Sequence, residues 1–217
     1  MMNERETDRM KWWGTRLHVD PRFCPYGKDG KPDILAVPII DMFDYTENAF
    51  LSNFYPFEIT YKDLTFATTE HAYQWEKPVE GCVDGVGKLW SDKIRFASTP
   101  TKTKGFGRRC SLRPDWEQVK LKIMKAVLIA KFRDTNLWPR LDATGDAYLI
   151  EGNTWHDNCF GICLKKDCER GCWEKRGQNY LGLFLMELRV ILRSHQQQMD
   201  MLDKLENALI ERGEPVE

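Results

Sequence analysis

The sequence predicts an α+β fold, and three observations carry that prediction. Short strand-like runs, ILAVPIIDMF (34–43), FEITYKDLTF (57–66) and DAYLIE (146–151), are interleaved with helix-like segments. The segment RPDWEQVKLKIMKAVLIAKF (113–132) places Trp116, Val119, Ile123, Val127 and Ala130 on one apolar stripe at helical spacing. A second segment, NYLGLFLMELRVIL (179–192), begins a long C-terminal helix expected to run to about residue 211. The 217 residues hold one domain with extensions, and 42% hydrophobic with 12% aromatic residues is enough to bury a core.

The elements follow in order. Residues 1–33 are polar and contain Pro and Gly, and they read as an extension. Pro38 puts the first strand at an edge or ends it early, because proline cannot donate to a ladder. Lys62-Asp63 reads as the turn of a hairpin. A helix over about 69–78 takes Thr68 or Thr69 as its cap, and SDKIRFAS (91–98) offers Ser91. Thr99 is a cap with Pro100 at the first helical position. In the longest internal helix Pro114 suits the first position, and Asp115 and Glu117 suit its positive end. A Gly- and Cys-containing loop spans 155–177. The catalytic domain is expected over 34–192, with a helical extension over 193–217. Met199, Leu202, Leu205 and Leu209 are spaced like a heptad seam, which either docks on the domain or associates with a second copy.

Charge and cysteines bound the function further. Net charge is −1, but ten basic residues lie between positions 102 and 133 (Lys102, Lys104, Arg108, Arg109, Arg113, Lys120, Lys122, Lys125, Lys131, Arg133). They form either a solvated helix face or an attractor for phosphate-bearing ligands. No apolar run is long enough for a transmembrane helix, and MMNERETDRMKWWG has no signal-like apolar core, so a cytoplasmic protein with reduced thiols is expected. Cys159, Cys163, Cys168 and Cys172 are spaced x3, x4 and x3. Four thiols can hold zinc, but these are not paired C-x2-C knuckles. A zinc-dependent nucleic-acid module is a third-ranked reading, and no metal or other cofactor is assigned.

The stretch TTEHAYQWEK (68–77) poses the chemical question. On a helix, Glu70, Gln74 and Lys77 fall at i, i+4 and i+7 on one face, while Ala72, Tyr73 and Trp75 crowd the others. An acid, an amide and an amine in line on a mostly buried helix invite a catalytic reading. His71 points about 100° away from Glu70 and reads as a hydrogen-bonded structural histidine.

FLSNFYPF (50–57), TEHAYQWEK (69–77), TKGFGRRCSLRPDWEQVK (103–120), KF (131–132), TGDAYLIEGNTWHDNCFG (144–161) and GQNYLGLFLMELR (177–189) resemble, in order and interval, motifs of the NADAR family, which includes the YbiA-like N-glycosidases. The resemblance spans about 39–192. It implies a compact, largely helical α+β domain with a small sheet. It also implies hydrolysis of N-glycosidic bonds, either in phosphoribosyl intermediates of riboflavin synthesis or between ADP-ribose and guanine in nucleic acid. The family's acid maps to Glu70, its lysine to Lys77, its basic pair to Lys104 and Arg108, and its W-x-D motif to Trp155 and Asp157. Many members carry an aromatic pair or Trp before the glycine, where this chain has Cys159-Phe160 before Gly161.

The expected catalytic set is therefore Glu70, Lys77 and Asp157, with Asp146 as an alternative second carboxylate. Breaking a ribosyl C1–N bond builds positive charge on the sugar, which a carboxylate stabilises. A desolvated Lys77 offers a second route, a Schiff base with the opened ribose. Asn53, Phe54, Gln74, Lys104, Arg108, Asp146 and Trp155 are the expected substrate contacts. The expected partner is an ADP-ribosylated nucleic acid or a ribosyl-phosphate small molecule. A non-catalytic ADP-ribose reader is the alternative.

Overall fold

Lys62 and Asp63 both take positive φ, 50° and 60°, which makes the tight turn that a right-twisted hairpin needs. The turn joins β2 (Ile59–Tyr61) to β3 (Leu64–Phe66), paired antiparallel with Ile59 opposite Phe66. The structure is a computed structural model describing residues 16–41, 43, 47–133, 136–165, 169, 171–172 and 175–211, with side chains to 201. The 34–43 run splits in two. Ile34–Ala36 is a 3-10 turn capped by Asp33, and β1 (Ile39–Asp41) begins only after Pro38. The Pro38 carbonyl accepts from Tyr148 N at 2.8 Å, so the proline that cannot donate still seeds the pairing. β1 pairs in parallel with β4 (Tyr148–Ile150), and β5 (Gly152–Asn153) pairs in parallel with β6 (Ile162–Cys163).

The helices are α1 (Thr69–Trp75), α2 (Trp90–Arg95), α3 (Pro100–Gly107), α4 (Trp116–Phe132), α5 (Trp138–Asp142) and α6 (Tyr180–Glu211). Thr68 caps α1 and Thr99 caps α3, each accepting from a backbone N–H three residues on. Two expected starts differ. α2 begins at Trp90 after Leu89 without a side-chain cap, so Ser91 lies inside the helix. α4 begins at Trp116 after Asp115, so Pro114 precedes it. There Arg113 binds both Asp115 oxygens and reaches Glu76 at 3.3 Å, which holds the entry turn.

The core lies between α4, α6 and β4, around Leu128, Phe132, Tyr148, Leu149, Ile150 and Leu185. Residues 16–34 lie against this body. Leu17 and Ile34 are buried in the core, and Asp20 N donates to the Tyr148 hydroxyl at 2.9 Å. Beyond Leu192, α6 projects from the domain. Its residues 194–201 are exposed, and Met199 is 43% exposed. The side chains of Leu202, Leu205 and Leu209 lie outside the described residues. No helix among the described residues is long and apolar enough to cross a membrane.

Asn179, itself at φ 52°, donates to Leu149 O at 2.8 Å and accepts from Glu151 N at 2.9 Å. That side chain ties β4 to the start of α6. A Cβ on Gly182 would come within 2.1 Å of Leu149 O, so only glycine lets the helix lie this close to the strand. Gly182→Ala is expected to lower stability by about 1–3 kcal/mol, the usual cost of overpacking. At about 2–4 °C per kcal/mol for a domain this size, thermal denaturation should show a midpoint several degrees lower. A midpoint within a degree of wild type would refute this close approach.

Candidate active site

Helix α1 is short, and its first turn sets the site. Glu70 N donates to Asn53 O at 3.0 Å, which joins the helix to the loop carrying Asn53 and Phe54. The Glu70 side chain is only 4% exposed, and its Oε1 accepts from Gln74 Nε2 at 2.7 Å. Gln74 is held in turn by Gly107 of α3, where an added Cβ would sit 1.9 Å from Gln74 Oε1. Glycine at 107 therefore makes the room in which the amide lines up the acid.

Lys77 is not on the helix as expected, because α1 ends at Trp75. Its N–H still reaches Gln74 O at 3.1 Å and its carbonyl accepts from Arg113 N at 2.8 Å, so the backbone there is fixed. The ammonium lies 5.5 Å from the centroid of Tyr73 and 5.3 Å from that of Trp116. Burial pushes its pKa down. Glu70 and Cys110 pull it back up, while Lys104 and Arg108 add to the lowering.

A cavity of about 1030 Å³ brings the predicted residues together. Asn53, Phe54, Glu70, Gln74, Lys77, Lys104, Arg108, Trp155 and Asp157 all line it. Lys104, on α3, lies over Phe54 and Trp155 at 5.5 and 5.3 Å, so two lysines in one cavity each sit between a pair of aromatic rings. Arg108 is exposed at the rim. Asp157 is partly committed. Its Oδ1 accepts from Cys159 N and Phe160 N, both at 2.9 Å, closing the turn after β5. Phe160 takes up the aromatic position before Gly161, edge-on to Tyr73 at 5.4 Å.

Asp146 is not brought to the cavity. It lies on the far side of β4, 88% exposed, with Arg193 at 3.4 Å, and the sequence-based placement is corrected accordingly. His71 is structural. Its Nε2 faces Ala97 O at 3.0 Å and its Nδ1 faces the Thr68 hydroxyl at 2.8 Å, and burial lowers its pKa. Nor is the basic run a single surface. Lys104, Arg108 and Lys120 line the cavity, Arg113 and Lys125 form ion pairs, and Lys131 is fully buried.

Lys131, Glu151, Lys120 and Tyr73 are cavity or support residues that the sequence reading missed. Lys131 falls four residues after Val127 on the buried stripe, and that spacing was the available signal. Its Nζ donates to Ser52 O at 2.8 Å, next to Asn53, and burial pushes its pKa down to about 7. Between about pH 7 and the ordinary value of 10.5 the unfolded chain therefore binds more protons than the folded one. This group makes stability rise with pH across that window, by up to about 1.4 kcal/mol per unit, and the benefit is lost as pH falls toward 7. Lys131→Met should flatten the rise in denaturant titrations at about pH 7, 8 and 9. Parallel curves for the two proteins would remove Lys131 from this role.

The mixed fold encloses a carboxylate–lysine cavity, and comparison with known proteins gives its kind. Residues 42–193 match the NADAR domain. N-glycosidase Npun_R5314 of Nostoc punctiforme is 35% identical over 147 residues, 66% of this chain and 85% of the relative. N-glycosidase YbiA of Escherichia coli (strain K12) is 35% identical over 141 residues, 64% of this chain and 78% of the relative. The NMR structure of E. coli YbiA superposes with a TM-score of 0.60 at 30% identity, covering 74% of this chain and 88% of that one. The riboflavin biosynthesis protein VVA0006 of Vibrio vulnificus is 28% identical over 77% of this chain but 42% of its own length. The chain belongs to the NADAR family and, with the relatives named N-glycosidases, to the hydrolases of N-glycosyl bonds.

Proposed function

We propose that the bond cleaved is a ribosyl C1–N bond, and that the substrate is ADP-ribose joined to a guanine base in nucleic acid. The observation that carries this reading is the convergence of a buried carboxylate, two ring-flanked lysines and a rim arginine in one cavity. Glu70 faces the anomeric carbon and stabilises the positive charge that develops as the base departs. Water adds to C1, and its proton leaves with the base or through the carboxylate. Asn53 Oδ1 and Gln74 Oε1 are buried without a hydrogen-bond partner among the described residues, and sugar hydroxyls would supply the donors they need. Lys104 and Arg108 take the diphosphate, Arg108 from the rim. Trp155, 39% exposed, gives a face on which the base can stack.

A phosphoribosyl intermediate of riboflavin synthesis is the second reading, favoured by the name of the Vibrio relative. Incubation with guanine-ADP-ribosylated DNA and, separately, with a phosphoribosyl-pyrimidine intermediate distinguishes them by product mass. Free ADP-ribose from the DNA alone supports the first reading. Ribose phosphate from the pyrimidine alone supports the second. Tight binding of ADP-ribose with no turnover of either would make the site a reader.

A further inference from the structure

We propose that His156, Cys163 and Cys172 bind a zinc ion that pins the Trp155–Asn158 loop to β6. The ligand atoms of these three residues lie within 4.8 Å of one another. His156 Nδ1 is 3.9 Å from Cys163 Sγ and 3.8 Å from Cys172 Sγ. In a tetrahedral zinc site with the usual metal–ligand lengths, nitrogen and sulfur stand about 3.6 Å apart and two sulfurs about 3.8 Å apart, so both N···S pairs need only a slight contraction, while the two sulfurs, which lie within 4.8 Å, would draw together onto the ion. Two soft thiolates and an imidazole select zinc over the hard cations that prefer oxygen.

The surroundings are built to hold the cluster. Cys163 and Cys172 are 0% and 6% exposed, and neither is in a disulfide. Asn158 Oδ1 accepts from Cys163 N at 2.8 Å, and its Nδ2 donates to Cys172 O at 3.2 Å. The Arg16 guanidinium donates to Cys163 O and Cys172 O at 3.3 and 2.9 Å. His156 is in the left-handed region at φ 70°, a conformation uncommon for a non-glycine residue, with its imidazole toward the two sulfurs. Cys159 is not in the cluster and lines the cavity instead. Cys168 lies outside the described residues. His156 stands between Trp155 and Asp157, so a metal at this point would brace two residues of the cavity from behind.

The test uses the full chain, purified under reducing conditions with any metal-affinity tag removed. Mass spectrometry should find about one zinc per chain, and His156→Ala and Cys163→Ser should each lower that content about tenfold. Cobalt substitution of the wild type should give the intense ligand-field bands of a tetrahedral site and a thiolate charge-transfer band. Removing zinc with a strong chelator should lower the thermal midpoint by about 5 °C or more. Zinc below about 0.1 per chain after anaerobic reconstitution overturns the proposal. So does full retention of zinc by both variants, or a Cys163–Cys172 disulfide in the reduced preparation. Should either variant fail to fold, the wild-type cobalt spectrum decides, since weak six-coordinate bands without charge transfer also overturn it. None of these readouts depends on turnover, so they stand apart from the substrate assignment.

Discussion

Glu70→Gln is expected to slow turnover by at least about a hundredfold, the scale of losing one preorganised charge partner of a transition state. The fold should be untouched. The amide is nearly isosteric, and its oxygen can still accept from Gln74 Nε2, which donates to Glu70 Oε1 at 2.7 Å. What disappears is the negative charge that the proposed mechanism sets beside the sugar, on a side chain that is itself buried. The measurement pairs steady-state rates on the active substrate with a thermal melt. Activity within a few-fold of wild type at an unchanged midpoint would take Glu70 off the catalytic list.

Lys77 carries the second large effect, and its variants separate two mechanisms. In the covalent route the neutral amine bonds to C1 as the protonated base leaves. The ring then opens, its oxygen takes the proton released by nitrogen, and an imine remains for water to hydrolyse. Burial between Tyr73 and Trp116 lowers the lysine's pKa and so enlarges the share of free amine near neutral pH, a share that grows as pH rises through that lowered value. Borohydride added during turnover should then fix a ribosyl group on the peptide containing Lys77, and Lys77→Ala should lose both the adduct and about 10²-fold or more in rate. If the lysine only holds the substrate by charge, no adduct forms and Lys77→Arg keeps appreciable activity. That pair of results would end the imine route.

Local rules explain which features were legible in the sequence. Thr68 and Thr99 cap their helices because each hydroxyl accepts from a backbone N–H three residues on and needs no distant partner, and Lys62-Asp63 turns for an equally local reason. Where the choice depended on tertiary contacts, the reading slipped. Pro114 is a sound first helical residue in isolation, but Arg113 is drawn to Glu76 of another segment and the helix starts two residues later. Helical spacing carries Lys77 onto the same face as Glu70, but the helix ends at Trp75 and the amine reaches the cavity by another path. Asp146 shares a motif with the β4 strand yet faces outward to Arg193, and only the packing of α6 decides that. Lys131 looked like one more charge of a basic face. Its burial is a property of the helix stripe it falls on, which charge counting hides.

Two of the stretches of chain that line the cavity differ in what they contribute. Glu70, Gln74, Lys77, Lys104 and Arg108 come from the span between α1 and the end of α3, whereas Trp155, Asp157 and Phe160 come from the turn between β5 and β6. Under the proposed reading, bond breaking and the grip on phosphate would fall to the first stretch and the face offered to the departing base to the second. Exchanging the β5–β6 turn for that of a relative is therefore expected to shift the choice of base more than the rate of cleavage.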